Sequence, residues 1–202
     1  NNSNPRSTVG TSSEIYEYIK LLYARVGKTI SPISGNEVKK DSVNSVLGFI
    51  NKLNEGDKFL IMIKLDPPEE LSFKDYLNLF LNQGFARVEI DEKIEMIEDY
   101  VDRKFNNAYL VIDRSIFKND KDYINRVIDS VENAFNVGNG SMYLKKLSTN
   151  SYHFFTKKFQ ENGTSFLEPN EHLFSFNNPY GACSKCGGYG DIIGIDPELV
   201  VP

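Results

Sequence analysis

The sequence has no tryptophan, and its 202 residues include only two histidines and two cysteines. These absences narrow its chemistry before any pattern is read. No Gly-x-x-x-x-Gly-Lys-Ser/Thr occurs. The chain therefore lacks the loop of backbone N–H groups that cradles nucleotide phosphates, and no Leu-Ser-Gly-Gly signature is present to complete a composite ATP site. No serine is set beside a partnering histidine and base. Nucleophilic catalysis has no candidate, and His153 and His172, in apolar and loop surroundings, read as structural. No stretch nears the ~18 consecutive apolar residues of a membrane span, and the polar N-terminus has no apolar signal core. A cytoplasmic chain with no membrane partner is the expectation. The opening Asn1-Asn-Ser-Asn-Pro5, without methionine, is expected of an excerpt from a longer protein. Two cysteines three positions apart, in a reducing compartment, favour free or metal-bound thiols over a structural disulfide.

What is present is enough for one good core or two small ones: 40% apolar residues, with 14 Phe and 11 Tyr. The formal charge is -5. The run from Asp91 to Asp102, with six acids and one lysine, carries all of it, so the remainder is neutral. The broad basic footprint of a protein bound through phosphates is missing, and nucleic acid is not expected as this chain's own main partner. The acidic run reads as a solvated face with one buried side, formed by Ile94, Met96, Ile97, Tyr100 and Val101.

Periodicity predicts an amphipathic helix over about residues 12–26. Thr11-Ser-Ser-Glu14 forms its capping box, and Ile15, Tyr18, Ile19, Leu22 and Val26 face inward. A loop over residues 28–40 leads to a second helix, capped by Asp41 or Ser42, that buries Val43, Val46, Leu47, Ile50 and Leu53. The period then changes. Strands are expected at 59–65 and 86–90, with a helix from Ser72 through Gln83 between them and a short hairpin strand near 94–97. The second half repeats the alternation: a strand at 109–113, a helix over 121–136, and strands at 142–147 and 152–158. The fold class is α+β. Two split β-α-β halves over 58–158 predict a compact mixed sheet with helices on one side. The expected pieces are a helical segment at 1–56, the α+β domain at 57–158 and a degenerate zinc-type segment at 159–202.

Two motifs stand out. Near the C-terminus the chain reads Leu173-Phe-Ser-Phe-Asn-Asn-Pro-Tyr-Gly-Ala-Cys183-Ser-Lys-Cys186-Gly-Gly-Tyr-Gly190. A Cys-x-x-Cys before glycines is a zinc knuckle, because the turn points two thiolates at one metal and glycine relieves the backbone. Structural zinc takes four ligands, so Cys183 and Cys186 make half a site. At the other end stand Asn4-Pro-Arg-Ser-Thr-Val-Gly-Thr11 and Glu14-Ile-Tyr-Glu-Tyr-Ile-Lys-Leu-Leu-Tyr-Ala-Arg-Val-Gly27. In order and separation both stretches resemble the UvrA family, the damage-sensing ATPase subunits of bacterial nucleotide excision repair. The resemblance spans essentially the whole chain, yet only a minor part of those large subunits.

The resemblance implies three pieces: part of a signature domain, a UvrB-binding domain, and the start of a zinc module. It implies that Arg87, in Gly84-Phe-Ala-Arg-Val-Glu-Ile-Asp91, and Arg114, in Val111-Ile-Asp-Arg114, meet acidic residues of UvrB. It also implies a dimeric parent of ABC type that uses ATP and magnesium and reaches damaged DNA. The chain departs from the family at two cysteine pairs. Ser31-Pro-Ile-Ser34-Gly35 stands where a Cys-Pro-x-Cys-Gly often does, and Phe159 and Asn162 stand where the upstream zinc ligands fall. Zinc would then need His172 and His153 as third and fourth ligands. Two other readings stay open at this point: a zinc-ribbon nucleic-acid-binding fragment, and part of a UvrA-like paralogue that works without UvrB.

Overall fold

The computed structural model describes residues 9–118 and 120–190. The first half of the Asn4–Thr11 motif and the end of the zinc-type segment lie outside them. The chain divides into two compact units, one of Lys40–Gln160 and one that joins the segment up to Lys39 with the segment from Glu161 onward. This division differs from the expected boundary at 56/57. Its reason is burial: Val46 and Ile50, on the second helix, are completely lost from solvent in the core of the sheet unit.

That unit is an antiparallel sheet with helices on one face. Its elements are α3 (Val43–Ile50), β1 (Lys58–Lys64), α4 (Phe73–Leu81), β2 (Arg87–Ile90), β3 (Lys93–Met96), β4 (Ala108–Ile116), α5 (Lys121–Val137), β5 (Ser141–Lys146) and β6 (Ser151–Thr156). Local chemistry sets the ends. Ser42 accepts the Ser45 N–H and completes a capping box on α3. Ser72 caps α4 through the Asp75 N–H, and Gly84 takes the left-handed turn after it, at φ 93°.

The strand order is β3-β2-β4-β1-β5-β6, with every ladder antiparallel. α4 links β1 to β2, which run parallel with β4 between them; α5 links β4 to β5, which run parallel with β1 between them. These are two interleaved split β-α-β units, the ferredoxin-like arrangement, with β3 and β6 added at the edges. The α+β class and both split units match the sequence reading. The sheet itself is not mixed, because each pair of parallel strands is separated by a third. Phe59, Ile61 and Ile63 of β1 join Leu77, Val88, Leu110, Val131, Phe135 and Leu144 in the main core under the helices. Leu60, Met62 and Val111 form a small cluster on the other face, packed by Tyr109, Tyr143 and Tyr152.

In the second unit, α1 (Val9–Ser12) precedes α2 (Ile15–Val26). The expected capping box at Thr11–Glu14 does not form: the N-cap is Glu14, left-handed at φ 61°, with no side-chain bond. Nor is the apolar stripe buried, since Ile15, Tyr18, Ile19, Leu22 and Val26 are all exposed. The face that packs is the aromatic one. Tyr16 donates its hydroxyl hydrogen bond to the Phe174 carbonyl (2.6 Å) and accepts the Phe176 N–H (3.2 Å), and Tyr23 stacks on Phe174 at 5.7 Å. Among the described residues no helix is long and apolar enough to cross a membrane.

Candidate functional site

Strand alternation decides where each charged side chain points. On β2, Val88 and Ile90 enter the main core, so Arg87 and Glu89 project from the face opposite the helices. Glu89 stands across from Tyr109 of the small cluster. On β4 the same count would send Arg114 to the helix face, because Ala108, Leu110 and Ile112 all pack there. A β-bulge changes the parity. Ile61 faces Asp113 and Met62 faces Val111, leaving Ile112 as the extra residue. Asp113 then turns toward α5, accepting from Ser130 Oγ (3.0 Å) and pairing with Arg126 (3.3 Å). Arg114 comes level with Leu60, on the helix-free face.

The bulge therefore brings the two sequence-predicted arginines to one face and one end of the sheet. Arg87 is level with Val111, and Arg114 lies two to three strand steps further along β4, roughly 7–10 Å. Both are exposed, and among the described residues no ion pair or side-chain hydrogen bond holds either guanidinium. Phe154 of β6 shares the face, 47% exposed and stacked on Tyr143 at 5.0 Å.

Between these groups and the tyrosines lies a feature that sequence reasoning missed. Glu89 and Lys145 are 1% and 2% exposed and meet at 2.9 Å. Tyr152 donates its hydroxyl hydrogen bond to the other Glu89 oxygen, and its ring lies 4.8 Å from the Lys145 ammonium. Burial, reinforced by the Glu89 carboxylate, pushes the Tyr152 phenol far above its ordinary value. In sequence both charges sit at outward positions of their strands, so no local signal marks them as buried.

The acidic run contributes structure. Asp91 and Glu92 make the two-residue β2–β3 turn at φ 45° and 69°, and Asp91 accepts the Asn106 and Asn107 N–H groups.

At Cys183 and Cys186 the knuckle is well formed. The Gly187 N–H closes on the Cys183 carbonyl at 2.8 Å. The N–H groups of Cys186 and Lys185, with the Cys186 thiol, hold the exposed Cys183 thiol below its ordinary value. The Ser31–Gly35 turn repeats this geometry with a hydroxyl. Ser31 Oγ accepts the Ile33 and Ser34 N–H groups, and the Gly35 N–H bonds the Ser31 carbonyl at 2.9 Å. Asn162 occupies a left-handed turn position beside Gly163 (φ 48° and 77°), in the hairpin of β7 (Gln160–Glu161) and β8 (Thr164–Ser165). His172 contacts Asn178, and His153 stacks on Phe49 at 4.2 Å. Among the described residues no cluster of three or more His, Cys, Asp or Glu forms. The donors that the described residues bring together do not fit a tetrahedral zinc site.

The sheet and its arginine face define the class: a split β-α-β module of α+β type that presents a guanidinium pair on its helix-free side. Residues 41–148, nearly the whole sheet unit, match the family model of the UvrA interaction domain, and the chain belongs to that family. Over 206 residues it is 34% identical to the UvrABC system protein A of Methanothermobacter thermautotrophicus, covering 98% of this chain and 21% of that protein. Proteins of the same description from Rickettsia felis and Thermus thermophilus are each 34% identical, with 98% of this chain and 22% and 21% of theirs covered. The chain thus spans about a fifth of the length of the curated relatives it matches.

Proposed function

We propose that this chain is a docking module that receives UvrB, within a longer subunit that recognises damaged DNA in nucleotide excision repair. The observation that carries the reading is the pair of exposed guanidiniums, Arg87 and Arg114, on one helix-free face, neither held by a side chain among the described residues. A guanidinium left without an intramolecular carboxylate is set to accept one from outside, and its planar fork pairs carboxylates bidentately while staying charged on desolvation. Membership of the interaction-domain family supports the same reading.

The work of this module is binding, with no bond made or broken. Arg87 and Arg114 steer the approach of acidic side chains on UvrB and fix the register, while Phe154, exposed on the same face of the sheet, supplies an apolar contact. ATP and magnesium use, DNA contact and dimerisation belong in this proposal to the longer protein.

Titration calorimetry of the chain with purified UvrB tests it. The wild-type chain should bind, with an affinity that falls as salt rises. Arg87→Glu with Arg114→Glu should weaken binding at least about 30-fold, since removing one partner of a close interfacial charge pair costs roughly 2–5 kcal/mol. Wild-type affinity in the double reversal, or no heat with the wild-type chain, would overturn the proposal.

A further inference from the structure

In a flat sheet β2 and β5, with β4 and β1 between them, lie about 14 Å apart, and β2 and β6 about 19 Å apart. Yet Glu89 of β2 is ion-paired to Lys145 of β5 at 2.9 Å and accepts a hydrogen bond from Tyr152 of β6. The rings of Tyr109 on β4 and Tyr152 on β6 stand 5.4 Å apart. Only a strongly coiled sheet brings these corners together. Glu89 is also two residues from Arg87 on the same strand and the same face.

We infer that Glu89, Lys145 and Tyr152 form an internal clamp that holds the coil of the helix-free face, and through it positions Arg87 for the docking partner. The inference rests on the docking reading given above. A carboxylate and an ammonium buried together need near-ideal geometry to offset desolvation. Their meeting point is therefore stiff, and β2 is fixed two residues from the arginine that it carries. Without the clamp the sheet can keep its hydrogen-bonded ladders while the far strands uncoil. Arg87 would then have to be ordered at the moment of binding, which weakens affinity. Arg114 sits on β4, whose position is set by the bulge and by the hydrogen bond that Asp113 accepts from Ser130 of α5, and it depends less on the clamp.

The test is a double-mutant cycle on the 202-residue chain, read by calorimetry with purified UvrB. Glu89→Gln with Lys145→Met replaces the ion pair by groups of similar volume; Tyr152→Phe keeps the ring and removes only the donor. Each variant is checked for its fold by circular dichroism. The first should bind about tenfold more weakly than wild type. The loss should vanish in an Arg87→Ala background and persist in an Arg114→Ala background, which a merely structural role would not produce. If Glu89→Gln with Lys145→Met does not fold, Tyr152→Phe carries the same cycle with a smaller loss. A folded variant with wild-type affinity, or an equal loss in both arginine backgrounds, overturns the clamp and leaves the docking reading standing. No binding by the wild-type chain overturns both.

Discussion

Tyr152 shows how much one residue's surroundings can decide. Its phenol bonds a buried carboxylate, and burial raises it together with Tyr76, Tyr109, Tyr123 and Tyr143. A phenol raised in the fold favours the neutral form. Its contribution to stability is complete below the unfolded value of about 10 and is lost as pH climbs through the folded value. An alkaline titration followed by tyrosinate absorbance, with circular dichroism alongside, should show these phenols ionising above the ordinary range, Tyr152 the most displaced of them. Ionisation of these five at the ordinary phenol value of about 10, on an intact fold, would contradict the burial described. Arg87 and Arg114 were legible as candidates because the residues around them resemble a family. Glu89 and Lys145 were not, because alternation along their strands assigns them to solvent and only the coil of the sheet hides them.

At the scale of elements, the strands and helices of the sheet unit were legible in outline. Apolar strand-type runs marked β1, β2, β4, β5 and β6, and Asp41 or Ser42 and then Ser72 marked two helix starts. Two things resisted. The apolar stripe of α2 predicts a buried helix, but periodicity gives amphipathicity without naming a partner, and the described residues cover only its tyrosine face. The bulge at Ile112 leaves no residue signature, yet it decides that Arg114 shares a face with Arg87. The join of α5 to β5 leaves no room for a side chain at Gly138. A Cβ on Gly138 would meet the Ser141 carbonyl oxygen at 2.1 Å, Ile63 Cγ2 at 2.8 Å and the Ala134 carbonyl oxygen at 2.9 Å. Gly138→Ala should therefore destabilise the chain by about 1–3 kcal/mol through overpacking. Urea denaturation reads the effect as a lower midpoint, and an unchanged midpoint would show that the turn relaxes freely.

At the scale of the whole molecule, the chain is a family domain with flanking segments, one fifth of the relatives that it matches. Its net charge of -5 lies in one acidic run that builds a turn and an edge strand, while the helix-free face carries Arg87 and Arg114, whose guanidiniums no side chain among the described residues holds. The most direct test of that face is a titration of the isotopically labelled chain with purified UvrB, followed by amide and guanidinium NMR signals. The account expects shifts or broadening concentrated at Arg87, Glu89, Arg114 and Phe154, with α3, α4 and α5 unaffected. Changes confined to those helices or to the α2 unit, with the arginine signals unmoved, would contradict it.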